Sequence, residues 1–383
     1  TTGEILRTDN YMGEYIDHRL SLGDFSAPDY DDSAWKTVAA IAADDRFQSD
    51  RSKRNYEQYV DRDCARHCFN FNRKAELARE PIVTVKHRLN PINSYKDKNG
   101  NTVYDFGQNM VGVVSASITA ASGTRLTFRY GEMLRADGTV YTENLRRAEA
   151  TDVYVSAGGY REKFRPLFTF HGFRYMEVAA DGEAEIEFVT GEVMYTDLKK
   201  TGEFTCSDEV VNKLYQNIVW GQRGNFVSVP TDCPQRDERL GWTGDAQIFV
   251  GSAMFNMDCK AFYEKYMCDL RDSQYGNGAV GGVAPHVPHF DYTEEGDRLA
   301  AGWADAITVI PYEHYVMYGD KRTLYDSIGA MKAFVRFCRE TSEGFIRPED
   351  DNYGDWLNVG SETDKAVLNT LYFAYSASLT ARA

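Results

Sequence analysis

Between Thr231 and Gln247 the chain gathers carboxylates (Asp232, Asp237, Glu238 and Asp245), two guanidiniums (Arg236 and Arg239) and an indole (Trp242) into one loop and the start of the next helix. Pro234 and Gly241 exclude a continuous helix through it, since proline lacks an amide donor and glycine loses the most backbone entropy. A surface loop laced with ion pairs has a similar composition. Cys233-Pro234 and Gly241-Trp242 argue against that reading, because such pairs want burial or a wall to pack on. The set offers what glycoside hydrolysis needs: a carboxyl that can hold a proton, charges that tune it, and an aromatic to lie against a sugar ring. Cations beside a carboxyl lower its pKa and neighbouring acids raise it. Glu238 has both kinds of neighbour, and the sequence leaves their balance open.

The elements that must position this segment change period near residue 200. Before it, short alternating runs at 82–86, 113–118, 125–130, 152–155, 173–178 and 185–189 are separated by turn signals such as Lys98-Asn99-Gly100-Asn101 and Ala136-Asp137-Gly138. That pattern predicts an antiparallel β-sandwich over residues 81–200. Residues 1–45 are β-like but too few to close a core, and are read as the tail of an upstream β-domain. Residues 46–80 show no period and are read as a linker or long loop. After residue 200 the period is helical. Ser207, followed by Asp208 and Glu209, is read as an N-cap with acids in the first turn. Further helices are expected over 244–256, 258–274, 303–319, 321–341 and 365–383, with long loops at 275–302 and 342–364. Six tandem helices resemble half of a twelve-helix (α/α)6 barrel.

The 383 residues carry 43 Lys plus Arg against 58 Asp plus Glu, a formal net charge of −15. This argues against nucleic acid and anionic membranes as partners, and no stretch of 18 apolar residues reads as a membrane span. Aromatics make up 13% of the chain, which suits sandwich packing or sugar stacking. Seven cysteines, an odd number, read as reduced thiols. They favour the cytoplasm, with secretion left open because the chain lacks an initial Met. Cys64-Ala-Arg-His67-Cys68 has metal-like spacing but no second ligand pair nearby. Neither a metal nor a cofactor is expected.

The run Asp232-Cys-Pro-Gln-Arg236-Asp-Glu238-Arg-Leu-Gly-Trp242-Thr-Gly-Asp245-Ala-Gln resembles the signature of the bacterial α-L-rhamnosidases, glycoside hydrolase family 78. Tyr104–Met110, Gly138–Leu145 and Phe170–Tyr175 resemble that family's β-sandwich, and Gly302–Ala306 and Tyr353–Leu357 its helical part. The resemblance implies an inverting exo-glycosidase that removes terminal α-L-rhamnose from glycosides or oligosaccharides. It implies Glu238 as the general acid and Asp232, Arg236 and Asp245 as holders of sugar hydroxyls. Trp242 would pack beside the ring, and Trp303 and Trp356 would line the pocket around the 6-methyl. A barrel-core role is the bland alternative for each Trp. Asp305 and Asp355 are read as capping helices or orienting loops, and His286 and His289 as bordering the pocket or simply lying in a loop.

The family's general base is a Glu from a later loop, and neither Glu343 nor Glu362 matches it. The chain is therefore read as an internal portion of a longer enzyme, inactive alone, with an apolar face of Leu368, Leu371, Phe373 and Leu379 left uncovered. A homodimer is compatible with this reading. The alternatives are another inverting (α/α)6 glycosidase and a non-catalytic carbohydrate-binding fragment.

Overall fold

A computed structural model describes residues 3–33, 35–36, 80–286, 300–349 and 353–383. Most of the 46–80 segment, with Cys64, His67 and Cys68, lies outside them, as does His289. The organising element is β5 (Thr102–Ala120), long enough to serve two layers. Its first half pairs with β4 (Asn93–Lys96) and β11 (His171–Ala180), and its second half with β10 (Glu162–Phe164) and β12 (Ala184–Thr196). A register shift opposite Phe173 and Tyr175 marks the bend between the halves. From β11 the first layer continues through β6 (Arg125–Gly131) and β9 (Thr151–Val155), and from β12 the second adds β3 (Val83–Leu89).

Alternation dictates which faces meet. On β6, Leu126, Phe128 and Tyr130 are fully buried while Arg125 and Arg129 point outward. Phe128 stacks on Phe164 across the sandwich with ring centroids 4.0 Å apart, and Tyr154 meets the same ring edge-on at 5.8 Å. A small hairpin, β7 (Met133–Leu134) with β8 (Val140–Tyr141), leads to a 3-10 turn at Glu143–Leu145.

The first strands correct one expectation. β1 (Ile5–Asp9) and β2 (Gly13–Asp17) extend the same sheet, β2 running parallel to β9 with Tyr15 opposite Val153. As far as Asp17, the segment assigned to a preceding domain is the edge of this one. A parallel pairing between strands some 140 residues apart leaves no local turn signal to read.

The helices are α1 (Glu209–Asn225), α2 (Thr243–Asn256), α3 (Lys260–Asp272), α4 (Ala306–Tyr318), α5 (Lys321–Glu340) and α6 (Lys365–Arg382). The N-cap of α1 is Asp208 rather than Ser207: its carboxylate accepts the Val210 and Val211 amides at 2.8 and 3.3 Å. Asp320 caps α5 in the same way, and Asp364 caps α6. α4 is apolar nearly all round and sits at the centre, in contact with α2, α3, α5 and α6. The face of α6 differs from the expected one. Asn369, Phe373, Ser376 and Leu379 form the buried stripe, whereas Leu371 is exposed. Ser376 donates to the buried Asp305 carboxylate and shares a 2.7 Å hydrogen bond with Thr308, so Phe373 and Leu379, expected to be uncovered, lie on a face that is seated with polar bonds. The fold is a β-sandwich followed by part of an α/α barrel, and no described helix is long and apolar enough to cross a membrane.

Candidate active site

α1 ends at Asn225, and the hairpin β13 (Phe226–Val227) with β14 (Val229–Pro230) turns the chain into the charged loop. Two reciprocal bonds close its neck: the Asp232 amide donates to the Leu240 carbonyl at 3.2 Å, and the Leu240 amide to the Asp232 carboxylate at 3.3 Å. The loop between them therefore projects as a unit toward the β-sandwich. Gly172 on β11 lets it approach closely, since a Cβ there would lie 2.9 Å from that of Gln235.

Within the loop the charges form a chain. The Arg236 guanidinium donates to Asp232 at 2.7 Å and to Glu238 Oε2 at 2.8 Å. The same Oε2 accepts a second guanidinium, that of Arg146, at 2.7 Å. Arg146 also donates to Asp237 at 2.6 Å, and Arg147 donates to Asp237 at 2.9 Å. Glu238 thus stands at the junction of the two domains, its carboxylate bonded from both. Burial pushes the Asp232 carboxyl up to about 6, Glu238 and Asp245 adding to the rise and Arg236 opposing it. Burial likewise raises Asp245, which sits in the first turn of α2, where the helix end favours a negative charge. Asp232 and Asp245 both line a cavity of about 320 Å³ with Thr231, Phe249 and Tyr263.

The donor atoms of Asp232, Cys233 and Glu238 lie within 4.8 Å of one another, a spacing that can hold a metal ion. The chemistry of the set is poor for one. Arg236 already bridges the two carboxylates, and burial pushes the Cys233 thiol up to about 12, so it keeps its proton near neutrality.

Beyond the loop an aromatic wall begins. Trp242, 7% exposed, packs with Leu240 and Val283, and Trp303 and Tyr353 lean on that cluster. Tyr353 is the common neighbour of all three expected tryptophans, its ring centroid 4.7 Å from Trp303, 5.6 Å from Trp356 and 5.8 Å from Trp242. Trp303 lies so close over Gly244 that a Cβ there would come within 2.7 Å of the indole, which sets this ring one residue from Asp245. Trp356 is 60% exposed.

Comparison with known proteins identifies the family. A profile for the bacterial alpha-L-rhamnosidase 6 hairpin glycosidase domain matches residues 199–383, and one for the bacterial alpha-L-rhamnosidase concanavalin-like domain matches residues 95–195. The chain belongs to the bacterial α-L-rhamnosidase family. It is 41% identical to an alpha-L-rhamnosidase of Streptomyces avermitilis over 100% of its own length and 34% of that protein's. It is 36% identical to one from Formosa agariphila, over 100% of the chain and 39% of the relative. Among solved structures, the Streptomyces avermitilis α-L-rhamnosidase complexed with L-rhamnose superposes with a TM-score of 0.86 at 40% identity, over 100% of this chain and 34% of that one. The enzyme from Dictyoglumus thermophilum gives 0.84 at 32% identity, over 100% of this chain and 40% of that one. The chain thus spans between a third and two fifths of these family members.

The structure brings Asp232, Arg236 and Glu238 into direct contact and gathers Trp242, Trp303 and Trp356 around one ring. Sequence reasoning gave no role to Arg146 or Tyr353 and counted Asp237 only among the carboxylates of the loop. Arg146 directly follows the Gly138–Leu145 run and adopts a positive φ of 58°, which aims it across the domain junction. Tyr353 stands at the start of the Tyr353–Leu357 run that carried Trp356. Asp305 is buried and accepts the Gly302 amide at 2.9 Å, and Asp355 accepts the Thr363 hydroxyl at 2.9 Å, so both orient loops. The His286 amide donates to Ser273 at 2.9 Å, and its ring lies 6.1 Å from Tyr275.

Gly241 provides a sharp test of this local packing. Its carbonyl accepts the Ala284 amide at 2.9 Å, and a Cβ would fall 2.0 Å from the Ala284 oxygen. Gly241→Ala must therefore push apart the 240–243 and 282–284 segments. Urea unfolding should show a loss of about 1–3 kcal/mol, and an unchanged midpoint would refute the close approach.

Proposed function

We propose that the protein carrying this chain is a glycoside hydrolase that removes terminal α-L-rhamnose, with Glu238 as its general acid. The observation that carries this reading is the one-sided grip on Glu238. Both guanidiniums bond to Oε2, and no hydrogen bond of Oε1 is found among the described residues, so Oε1 is the oxygen proposed to face the glycosidic bond. In the step proposed, that proton passes to the leaving oxygen as the C1–O bond breaks. A water attacks C1 from the opposite face and gives its proton to a second carboxylate, roughly 6.5–9.5 Å from the first in an inverting enzyme. No carboxylate among the described residues is assigned that second role. Asp232, Arg236 and Asp245 are the proposed partners of the sugar hydroxyls. Trp242, Trp303 and Trp356, joined by Tyr353, are proposed to supply the apolar wall for the 6-methyl.

The test is hydrolysis of p-nitrophenyl α-L-rhamnoside against the α-L-mannoside, which differs from it only by a 6-hydroxyl, by the complete enzyme. A 6-hydroxyl placed on an aromatic wall is left without a hydrogen-bond partner, so the rhamnoside should be strongly preferred. Equal turnover would move the reading to another sugar.

Asp232 should also set an acid limit. With its carboxyl raised to about 6, falling pH protonates it through that value and weakens its bond to Arg236, the guanidinium it shares with Glu238. KM for the aryl rhamnoside should therefore climb below about pH 6, and Asp232→Asn should show the weak binding at every pH. A KM flat from pH 4 to 8 in the wild type would contradict this.

A further inference from the structure

A second feature lies on the open face of the first β-layer. A groove of about 750 Å³ runs over β2, β6 and β9 to the loop that carries Arg146. Its lining holds five arginines, Arg7, Arg125, Arg129, Arg146 and Arg147, and one acid, Glu149, in a protein whose net charge is −15. The register explains the concentration. Tyr15, Val153 and Thr127 stand in one row across three strands, and Arg125 and Arg129 project from the same face of β6, two residues to either side of Thr127. Four strand residues place their Cα atoms about 13 Å apart.

These charges are only partly answered. Arg7 meets Glu149 at 3.9 Å with both side chains largely exposed, and Arg129 meets Glu177 at 3.5 Å. Arg125 lies over the Tyr15 ring at 5.7 Å, and no ion pair of its guanidinium is found among the described residues. Arg146 closes the groove at its far end and is the same side chain that bonds Glu238. The groove therefore opens beside the proposed acid.

We propose that this groove binds the leaving-group side of the substrate and selects saccharides that carry anionic groups, uronate carboxylates or sulfate esters, next to the terminal sugar. This rests on the rhamnosidase reading given above. Guanidiniums match carboxylate and sulfate oxygens in paired hydrogen bonds, and Thr127, Thr142 and Thr151 in the same lining offer hydroxyls to sugar hydroxyls. A nucleic acid is disfavoured because Tyr15 is the one aromatic ring among the described residues of the lining and the chain is strongly acidic.

The experiment uses the complete enzyme, its Arg125→Gln/Arg129→Gln variant and its Arg125→Lys/Arg129→Lys variant. Substrates are p-nitrophenyl α-L-rhamnoside, a rhamnose-capped oligosaccharide with uronate neighbours, and its carboxyl-reduced counterpart. For the wild type, KM should be at least about tenfold lower on the charged oligosaccharide than on the reduced one. The Gln variant should lose that advantage while its kcat/KM on the aryl rhamnoside stays unchanged, and the Lys variant should keep most of it. Equal KM for charged and reduced oligosaccharides, or a Gln variant that keeps the advantage, overturns the proposal. Absence of aryl rhamnoside hydrolysis in the wild type would instead sink the function reading. The groove is then judged by calorimetry with a rhamnose-free oligouronate: binding lost in the Gln variant upholds it, and no binding to the wild type overturns it. An oligonucleotide that displaces the oligouronate at lower concentration would overturn the saccharide assignment.

Discussion

Glu238→Gln is expected to lower turnover of alkyl rhamnosides by about 10²–10⁴-fold in the complete enzyme, while rhamnosides of activated phenols lose far less. The geometry makes the comparison clean. Arg146 and Arg236 both bond to Oε2, so the amide oxygen of Gln can take that place and leave its NH2 where Oε1 stood. Binding contacts are kept, and the acidic proton is lost. A phenolate with a low pKa departs without protonation, whereas an alkoxide does not, so the gap between the two substrates measures the acid's part. Asp237→Asn supplies the contrast. Asp237 anchors Arg146 and Arg147 but is not the proposed acid, so its loss should slow both substrates to the same degree. An equal loss on both substrates for Glu238→Gln would reassign that residue to binding.

What could be read beforehand divides along the range of the forces involved. The six helices announce themselves because capping and amphipathic spacing are local: Asp208, Asp320 and Asp364 each bond amides within three residues. Even there the carboxylate at Asp208, rather than the hydroxyl one residue earlier, takes the cap. The charged loop was legible as a constellation, since Asp232, Arg236 and Glu238 are close in sequence and their bonds span two and four residues. The second guanidinium on Glu238 was not, because Arg146 arrives from 92 residues away on a backbone turn of positive φ. The same holds for Tyr353, which joins Trp242 and Trp303 from a distant loop. The stripe on α6 misled for another reason: Asn369 and Ser376 are buried with hydrogen-bond partners in Pro348 and Asp305, and a polar residue with a buried partner looks in sequence like a surface position.

Arg239 should carry the largest single contribution of the loop to stability. Among the described residues its guanidinium has no carboxylate as a hydrogen-bond partner. It donates instead to the carbonyls of Asn10, Phe170, Gln235 and Arg236, with the rings of Tyr11 and Phe170 5.5 and 5.2 Å from its central carbon. Burial lowers its pKa to about 10, still well above neutrality, so the cation persists. One side chain thus fastens the charged loop to the β1–β2 turn and to the start of β11. Removing it strands several carbonyls where water has little access, and Arg239→Ala should cost about 2–4 kcal/mol in urea unfolding. Arg239→Lys should recover only part, because one ammonium with three donors cannot reproduce the planar fork that reaches four carbonyls. Activity should fall too, by positioning: Tyr11, packed on Arg239, donates its hydroxyl to the Glu238 carbonyl at 2.7 Å. If Arg239 acts in this way, its variants slow alkyl and activated aryl rhamnosides equally, since the proton on Glu238 is untouched and only its placement is loosened. Stability within about 0.5 kcal/mol of wild type in Arg239→Ala would show that the loop is held by its ion pairs alone. A loss confined to alkyl rhamnosides would place Arg239 in the proton transfer itself.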